Sequence, residues 1–401
     1  MSGNNNTNIV YLDNNATTRV APEVVEAMTP YWGDNYGNPS SIYRFGGMVR
    51  RHVERAREQV AALIGANPDE IIFTSCGSEG DNMAIKGFLQ EHKNLARVIT
   101  SSVEHPAVRN TARFAAAEGA FLRELPVDGN GMLHKDIFSD AAPPDGAGCA
   151  NAQVIDAHTF VTLMWANNET GVLFPIETLA ERVKERGGTF HTDAVQAVGK
   201  VKIDVSKTPI DMLALSGHKI HAPKGIGAVY IRRGTPVHSL LHGGHQERGV
   251  RAGTENVPYI VGLGRACELA AERMDEENTK VKALRDRLER ELLEKCAAAK
   301  LNGHPTERLP NTTNISFENI EGEAVLLHLD EEGIAASSGS ACTTGSLEPS
   351  HVMMAMGIPY NYAHSSIRFS LSVYNTDADV DKVVSVMPRI VEKLRKLSPF
   401  V

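Results

Sequence analysis

A lysine beside small and polar residues is the first candidate for chemistry in this 401-residue sequence. The stretch "LALSGHKIHAPKGIGAVY" (213–230) ends an apolar run and then places Ser216, Gly217 and His218 directly before Lys219, with Lys224 in a Pro/Gly turn. Most lysines are solvated surface charges, and Lys219 could be one of them. An amine held at the end of a strand can also form a Schiff base with a carbonyl compound.

Four further polar clusters follow other apolar runs. They are "TSCGSEGDN" (74–82), "SSVEHPAV" (101–108), "WANNETG" (165–171) and "HTDAVQAVG" (191–199). A single carboxylate such as Asp193 more often caps the following helix than takes part in catalysis. We nevertheless expect the five clusters to meet at one edge of a sheet, and together they indicate a site.

The capabilities of these clusters fit one cofactor. Gly77 and Ser78 precede a helical stretch, where backbone N–H groups and a hydroxyl favour a phosphate. His105 can stack on a flat ring or move protons, Asp193 can hold a ring nitrogen protonated, and Lys219 can form an imine. Pyridoxal phosphate (PLP) needs all of these groups.

The hydrophobic pattern predicts an α/β fold with a mainly parallel sheet in a large domain. The predicted strands are 71–74, 97–101, 159–165, 189–192, 212–215 and 227–231, with a helix over 176–188. Helical periodicity over 281–296, strands at 312–318 and 366–371, and a closing helix predict a smaller α+β domain. We expect residues 16–260 to form the large domain, and residues 1–15 and 261–401 to form the small one.

The overall composition limits the partners and the compartment. A formal net charge of −8 gives no basic surface for nucleic acid or anionic lipid. We expect no nucleic-acid or membrane partner, and a cytoplasmic location, because the N-terminus has no apolar leader and no run is long enough to span a bilayer. The five scattered cysteines favour neither disulfides nor a zinc site.

Eight ordered motifs resemble those of PLP-dependent cysteine desulfurases, most closely the nitrogen-fixation branch. The motifs are "YLDNNATT", "GNPSS", "EHPAV", "WANNETG", "HTDAVQAVGK", "SGHKIHAPKGIG", "GGHQERGVRAGTEN" and "SSGSACTTGSLEPSH". The similarity extends from about Val10 to the C-terminus. It implies a fold-type I, aspartate aminotransferase-like homodimer.

The resemblance also implies roles for individual residues. It makes Lys219 the Schiff-base lysine, stacks His105 on the cofactor ring, and places Asp193 at the pyridine nitrogen and Gln196 at the phenolic oxygen. The residues that it assigns to the phosphate are Gly77, Ser78, Ser216, His218 and, from the partner subunit, Thr254. The residues that it assigns to substrate or cofactor contacts are Asn15, Asn168 and Arg368, with Arg368 pairing with the amino-acid carboxylate.

Cys342 lies in "SSGSACTTGS", whose composition predicts a mobile loop. The resemblance implies that its thiolate takes sulfur from L-cysteine, leaving L-alanine and an enzyme persulfide, with His105 and Lys219 moving protons. It further implies a scaffold protein for iron–sulfur clusters as sulfur acceptor, for nitrogenase, and transient iron–sulfur ligation by Cys342 but no other metal site. We expect the other cysteines to be small buried thiols, namely Cys76, Cys149, Cys267 and Cys296.

Three departures from the family pattern and two other functions need to be weighed. Cys76 stands where glycine is frequent, Ser78 where threonine is common, and the Pro/Gly-rich loop at 139–153 is long. One alternative is a PLP-dependent aminotransferase or lyase for another amino acid, which would have no use for a mobile thiol. The other is a non-catalytic scaffold or sulfur-binding module, which would not need both Lys219 and Asp193.

Overall fold

The computed structural model describes residues 9–92, 95–134, 138, 155–338 and 349–398. The predicted surface loop at 139–153, including Cys149, lies outside the described residues. Cys342 also lies outside them. Within the described ranges, no helix is both long and apolar enough to cross a membrane.

A seven-stranded sheet forms the centre of the larger part of the molecule. Its strands are β2 (Ile71–Thr74), β3 (Arg97–Ser101), β4 (Phe121–Leu125), β5 (Thr159–Thr162), β6 (Thr189–Asp193), β7 (Met212–Ser216) and β8 (Gly227–Ile231). Their spatial order is β2-β8-β7-β6-β5-β3-β4, and β8 runs antiparallel to both of its neighbours. The remaining strands therefore point the same way, so their carboxyl ends meet at one edge.

Helices cover both faces of this sheet. They are α1 (Pro22–Met28), α2 (Arg44–Ile64), α3 (Gly77–His92), α4 (Pro106–Ala117), α5 (Ile176–Glu185) and α6 (Val257–Glu272). Helices α1, α2, α5 and α6 share one apolar core with the sheet, whereas α3 and α4 pack on the opposite face. Neighbouring residues of β7 face these two helix layers in turn. Leu213 packs with the layer that contains α1, α2, α5 and α6, and Met212 packs with α3 and α4. Strands covered on both faces are continuous apolar runs, which is why the sequence revealed them.

A second, antiparallel sheet has the order β12-β13-β10-β9. Its strands are β9 (Ala299–Asn302), β10 (Thr312–Phe317), β12 (Ser337–Ser338) and β13 (Ser366–Ser370), while β1 (Val10–Tyr11) pairs separately with β11 (Ile334–Ala335). The helices of this part are α7 (Met274–Glu276), a π-helical turn (Glu277–Val281), α8 (Lys282–Lys295), α9 (Gly322–Glu331), α10 (His351–Ala355), α11 (Tyr360–Ala363) and α12 (Asp377–Leu397). A separate apolar core joins this sheet to α8, α9 and α12.

The strands and helices agree closely with the sequence predictions. The β5 strand is shorter than predicted. The backbone N–H of Met164 donates to Glu104 Oε1 at 3.0 Å, on the side where pairing with β3 ends, although Leu163 and Trp165 still donate to carbonyls of β6. The sequence analysis missed β4, a half-buried strand at the edge of the sheet. The domain boundaries proposed at residues 15 and 260 stay predictions, and α6 packs with the first core.

Helix α6 passes close to α2 at Gly264. A Cβ at this position would lie 2.7 Å from Ala56 Cα, a backbone atom of α2. We expect Gly264→Ala to lower the free energy of unfolding by about 1–3 kcal/mol through overpacking. Gly47→Ala is the matched control, because Gly47 is also helical but has nothing within 4 Å of the added Cβ. It should raise stability by up to about 1 kcal/mol.

The measurement is the shift in the thermal unfolding midpoint of each variant relative to wild type. Equal midpoints for Gly264→Ala and Gly47→Ala would show that α2 and α6 are not packed this closely.

Candidate active site

Five strand ends supply the loops of one site, as the parallel arrangement requires. Strand β2 leads into the start of α3 at Gly77, β3 into the loop with His105, and β5 into the loop with Asn168. Asp193 is the last residue of β6, and Ser216, the last residue of β7, precedes a single 3₁₀ turn, Gly217–Lys219. These ends enclose a cavity of about 340 Å³.

The cavity brings most of the predicted site residues together. Those that line it are Asn15, Gly77, Ser78, His105, Asn168, Asp193, Gln196, Ser216, His218, Lys219 and Arg368. Arg368 comes from β13 of the second sheet, and Asn15 from the segment after β1. Thr254 instead lines a different cavity, and Cys342 lies outside the described residues. The site is therefore built where the two sheets meet.

Lys219 is held by the N-terminal segment. Its Nζ donates to the backbone carbonyl of Ala16 at 2.9 Å and also to that of Asn15. Lys219 is the last residue of the 3₁₀ turn that follows β7, and its side chain lines the cavity. Lys224, five residues later, is exposed and is not among the residues that line this cavity.

Asp193 is buried beside His105 and Lys219. Its Oδ1 accepts from the backbone N–H of Val195 at 2.9 Å, so it forms a local turn in addition to facing the cavity. Burial raises the pKa of Asp193, while the nearby His105 and Lys219 lower it. A cation in the cavity would lower that pKa further, which suits the carboxylate for a protonated ring nitrogen.

His105 is the N-cap residue of α4, and its Nδ1 accepts from the backbone N–H of Ala107 at 3.1 Å. Burial lowers the pKa of His105 below its ordinary value, and Lys219 adds to this effect. The ring is therefore neutral at neutral pH, with its proton on Nε2. A flat neutral ring can stack on a cofactor and can also give or take a proton.

Several polar atoms in the cavity wall have no partner among the residues that the structure describes. Ser216 Oγ and Gln196 Oε1 are both buried and unpaired in this way. Gln196 Nε2 donates to the Asn15 carbonyl at 2.9 Å, which fixes the orientation of the amide. Buried polar atoms are normally paired, so these two indicate a polar ligand.

The start of α3 leaves room for an anion. A Cβ at Gly77 would lie 2.5 Å from Val195 Cγ2, so no larger residue fits there. Ser78 is exposed in the first turn, next to backbone N–H groups that the helix leaves unpaired. On the other side, His218 Nδ1 lies 3.2 Å from Thr17 Oγ1, and burial lowers the pKa of His218 to about 4. This arrangement suits a phosphate group.

Arg368 carries the guanidinium on the opposite side of the cavity. It is buried, and it donates to Asp13 Oδ1 at 2.7 Å and to the Asn168 carbonyl at 2.9 Å. Its Nε has no partner in the described part of the chain. A carboxylate ligand would therefore meet a cation that Asp13 already orients.

The sequence analysis missed several residues around the cavity. Asp13 orients Arg368, Thr17 contacts His218, and Asp81 lines the cavity wall. Glu104 is buried directly before His105, and its Oε1 accepts from Ser101 Oγ at 2.6 Å. All four residues lie within the quoted motifs, close to residues that were predicted to form the site. This proximity in the sequence could have identified them.

The cysteines divide into two groups. Cys267 and Cys296 are buried, as predicted, and burial raises the pKa of Cys296 to about 11. For Cys76 the prediction of a buried thiol was wrong, since its side chain is half-exposed and lines the cavity. It directly precedes α3, in the strand-to-helix connection that borders the cavity, so its side chain faces this space and not a packed core.

Comparisons with known proteins identify the family. The profile described as class-V aminotransferase matches residues 10–383. This chain belongs to the class-V aminotransferase family. It is 56% identical over 392 residues to a cysteine desulfurase of Trichormus azollae, which covers 98% of this chain and 95% of that protein. It is 53% identical over 392 residues to cysteine desulfurase NifS of Azotobacter vinelandii, covering 98% and 94%.

The solved structures give the same result for the fold. One described as a NifS-like protein has a TM-score of 0.87 at 36% identity and covers 96% of this chain and 100% of that chain. The predicted fold-type I architecture, with a mostly parallel sheet and a smaller second sheet, is therefore confirmed.

Class-V aminotransferases use PLP, and the residues of the cavity fit this cofactor. Gly77, Ser78, Ser216 and His218 surround a space suited to the phosphate, and Asp193 and His105 lie beside the position for a ring. The unpaired atoms of Ser216 and Gln196 face a region that a polar ligand must fill. We therefore expect PLP to be held here, attached through Lys219.

The attachment can be tested with two lysine variants. Lys219→Ala should lose covalent cofactor completely, because the imine needs a primary amine in the cavity. Lys224→Ala is the matched control and should keep it, because Lys224 is exposed. The measurement is borohydride reduction of the purified proteins followed by mass analysis. Cofactor that is still fixed in Lys219→Ala would show that another residue forms the imine.

Proposed function

We propose that this protein is a cysteine desulfurase. The reaction is L-cysteine + Cys342–SH → L-alanine + Cys342–S–SH, in which the carbon–sulfur bond breaks and a sulfur–sulfur bond forms. The observation that carries the proposal is the single cavity lined by Lys219, Asp193, His105 and Arg368. The curated relatives named cysteine desulfurase, similar over almost the whole chain, support the choice of L-cysteine.

PLP, when bound, supplies an electron sink that stabilises negative charge at the substrate Cα. The chain supplies the rest. Arg368, oriented by Asp13, binds the substrate carboxylate, with Asn15 and Asn168 completing the contacts. Asp193 would hold a proton at the ring nitrogen, and Gln196 would contact the phenolic oxygen. Gly77, Ser78, Ser216 and His218 would hold the phosphate.

Proton transfer falls to the two groups beside Asp193. The Nζ of Lys219 lies in the cavity, where it would carry the Cα proton whenever it is not engaged in the imine. His105 is neutral because burial lowers its pKa, so its ring can accept a proton directly. The Cys342 thiolate then takes the substrate sulfur, and the mobile loop predicted for it would deliver that sulfur to an acceptor.

We further propose that the acceptor is a scaffold protein for iron–sulfur clusters, with Cys342 as a transient ligand during transfer. We propose assembly for nitrogenase because the motifs resemble those of the nitrogen-fixation branch, and a cysteine desulfurase named NifS is 53% identical to this chain. The reaction needs Cys342 as a free thiol, and the cytoplasm keeps thiols reduced, so the cytoplasm is the proposed compartment.

A homodimer is also part of the proposal. Five large apolar side chains lie exposed within residues 32–48, which supports burial of this segment in an interface; they are Trp32, Tyr36, Ile42, Tyr43 and Met48. Thr254 lies outside the PLP cavity, in a cavity that also includes Arg251. Arg251 pairs with Glu79 at 2.9 Å in the first turn of α3. Because Thr254 does not line the PLP cavity of its own subunit, we assign it to the phosphate of the partner subunit.

The thiol is tested by replacing Cys342. Cys342→Ala and Cys342→Ser should both lower alanine release from L-cysteine by about 10³-fold or more, because a covalent nucleophile is lost. Both should keep PLP and still change its absorption when L-cysteine is added, because those steps need no enzyme thiol. Cys76→Ala is the control, and it should retain sulfide and alanine formation. Alanine release by Cys342→Ala at near wild-type rate would contradict the proposal.

Mixed dimers test whether Thr254 acts in the partner. If Thr254 acts in the partner subunit, a dimer of one Lys219→Ala chain and one Thr254→Ala chain has both substitutions in one site and none in the other. We expect it to regain about half of the wild-type activity, whereas either variant alone is impaired. If Thr254 acted within its own subunit, each site of the mixed dimer would carry one lesion. No recovery, with Thr254→Ala alone strongly impaired, would therefore exclude action in trans.

A further inference from the structure

Two buried polar side chains behind the cavity have no role in the proposed reaction. Asp81 in α3 is 1% exposed, and His191 in β6 is fully buried. Asp81 Oδ1 lies 3.7 Å from His191 Nε2, and neither atom has a hydrogen-bond partner among the described residues. Two such atoms facing each other form a hydrogen bond after a small adjustment, provided that one proton lies between them.

His191 is fixed from its other side. Its Nδ1 lies 2.8 Å from Thr162 Oγ1, and its ring stacks on Phe160. Burial lowers the pKa of His191 to about 3, so the ring is neutral and carries one N–H group. When Nδ1 donates this hydrogen to the Thr162 hydroxyl, Nε2 is an acceptor and Asp81 must be the donor.

The groups around Asp81 are acidic. Asp193 faces it from the end of β6, Glu104 from the loop after β3, and Cys76 from the residue before α3. Burial is the largest cause that raises the pKa of Asp81 above its ordinary value of 3.8, and each of these groups raises it further. The basic groups of the cavity, the Lys219 amine and the His105 ring, lower the pKa of Asp193 instead. A negative charge on Asp81 would compete with the charge that Asp193 needs.

We propose that Asp81 stays protonated in the folded protein at neutral pH, donates its proton to His191 Nε2, and acts as a positioning residue for Asp193. The pair is then neutral, and it links α3 to β6 two residues before Asp193. Asp81 also lies one helical turn after Gly77, so a neutral side chain avoids repelling the phosphate proposed there. The positioning role rests on the proposed role of Asp193, whereas the protonated state of Asp81 does not.

The protonated state is tested on the protein without PLP, so its failure is distinct from failure of the desulfurase proposal. Asp81→Asn keeps the shape and a permanent donor but cannot ionise. In wild type, a folded pKa above the unfolded value means that stability is lost as pH rises above about 4, until the folded pKa is passed. The thermal midpoint of Asp81→Asn should therefore rise relative to wild type between about pH 5 and pH 8.

Asp204→Asn is the matched control. Hydrogen bonds from Ser206 and Lys207 lower the pKa of Asp204 to about 2, so its stabilising effect is already complete at pH 5. The difference between this variant and wild type should stay constant from about pH 5 to pH 8. If the Asp81→Asn difference is also constant, or falls as pH rises, Asp81 is ionised and the proposal is wrong.

The positioning role is tested by measuring the affinity of the apoprotein for PLP. The quenching of intrinsic protein fluorescence reports the binding. Asp81→Asn should bind PLP with wild-type affinity, because the donor to His191 is kept. Asp81→Leu keeps the branch at Cγ, although its two methyl groups are larger than the oxygens, and it leaves Nε2 unpaired; it should bind about tenfold more weakly. If Asp81→Asn binds as weakly as Asp81→Leu, the carboxylate charge is what matters, and the proposal is overturned.

Discussion

The backbone carbonyl of Asn15 is the point at which both sheets meet the site. It accepts hydrogen bonds from Lys219 Nζ and from Gln196 Nε2, which follow β7 and β6 of the large sheet. The other groups of Asn15 bind the second sheet, since its N–H donates to Ser370 Oγ and its side-chain amide donates to Thr312 Oγ1, both at 2.9 Å. The position of the proposed Schiff-base lysine therefore depends on how the two sheets are joined.

Burial has opposite effects on the groups around this junction. It raises the pKa of Asp193 and lowers that of His105, so each group is driven towards its neutral form. Unpaired Ser216 Oγ and Gln196 Oε1 each cost about 1–3 kcal/mol if they stay without a partner. A phosphorylated, cationic ring in the cavity would favour the ionised form of Asp193 and offer partners to these unpaired atoms, while keeping His105 neutral. The same low dielectric makes a second buried carboxylate, Asp81, unfavourable as an anion.

The sequence predicted the large sheet well because strands covered on both faces are short, continuous apolar runs, as in Met212–Ser216. It missed β4 because an edge strand such as Phe121–Leu125 is half-exposed and mixes charges with apolar residues. The loops that follow parallel strands could be placed at one edge from topology alone, which is how Lys219, Asp193 and His105 were grouped.

Contacts between distant parts of the chain could not be derived in this way. Asp13 and Arg368 are 355 positions apart, and Asn15 and Ser370 are equally distant. The pair of Asp81 and His191 depends on how α3 packs against β6, which no local pattern encodes. For Arg368 and Thr254 the resemblance to cysteine desulfurases, not the physics of the sequence, supplied the assignment.

The central claim is that the cavity beside Asn15 holds PLP with Asp193 at the ring nitrogen. The most direct measurement is the ¹⁵N spectrum of the protein reconstituted with PLP labelled at that nitrogen, recorded for wild type and for Asp193→Ala. We expect a protonated nitrogen in wild type and an unprotonated one in the variant, because the carboxylate stabilises the cationic ring. An unprotonated ring nitrogen in wild type, or a protonated one in Asp193→Ala, would contradict the account.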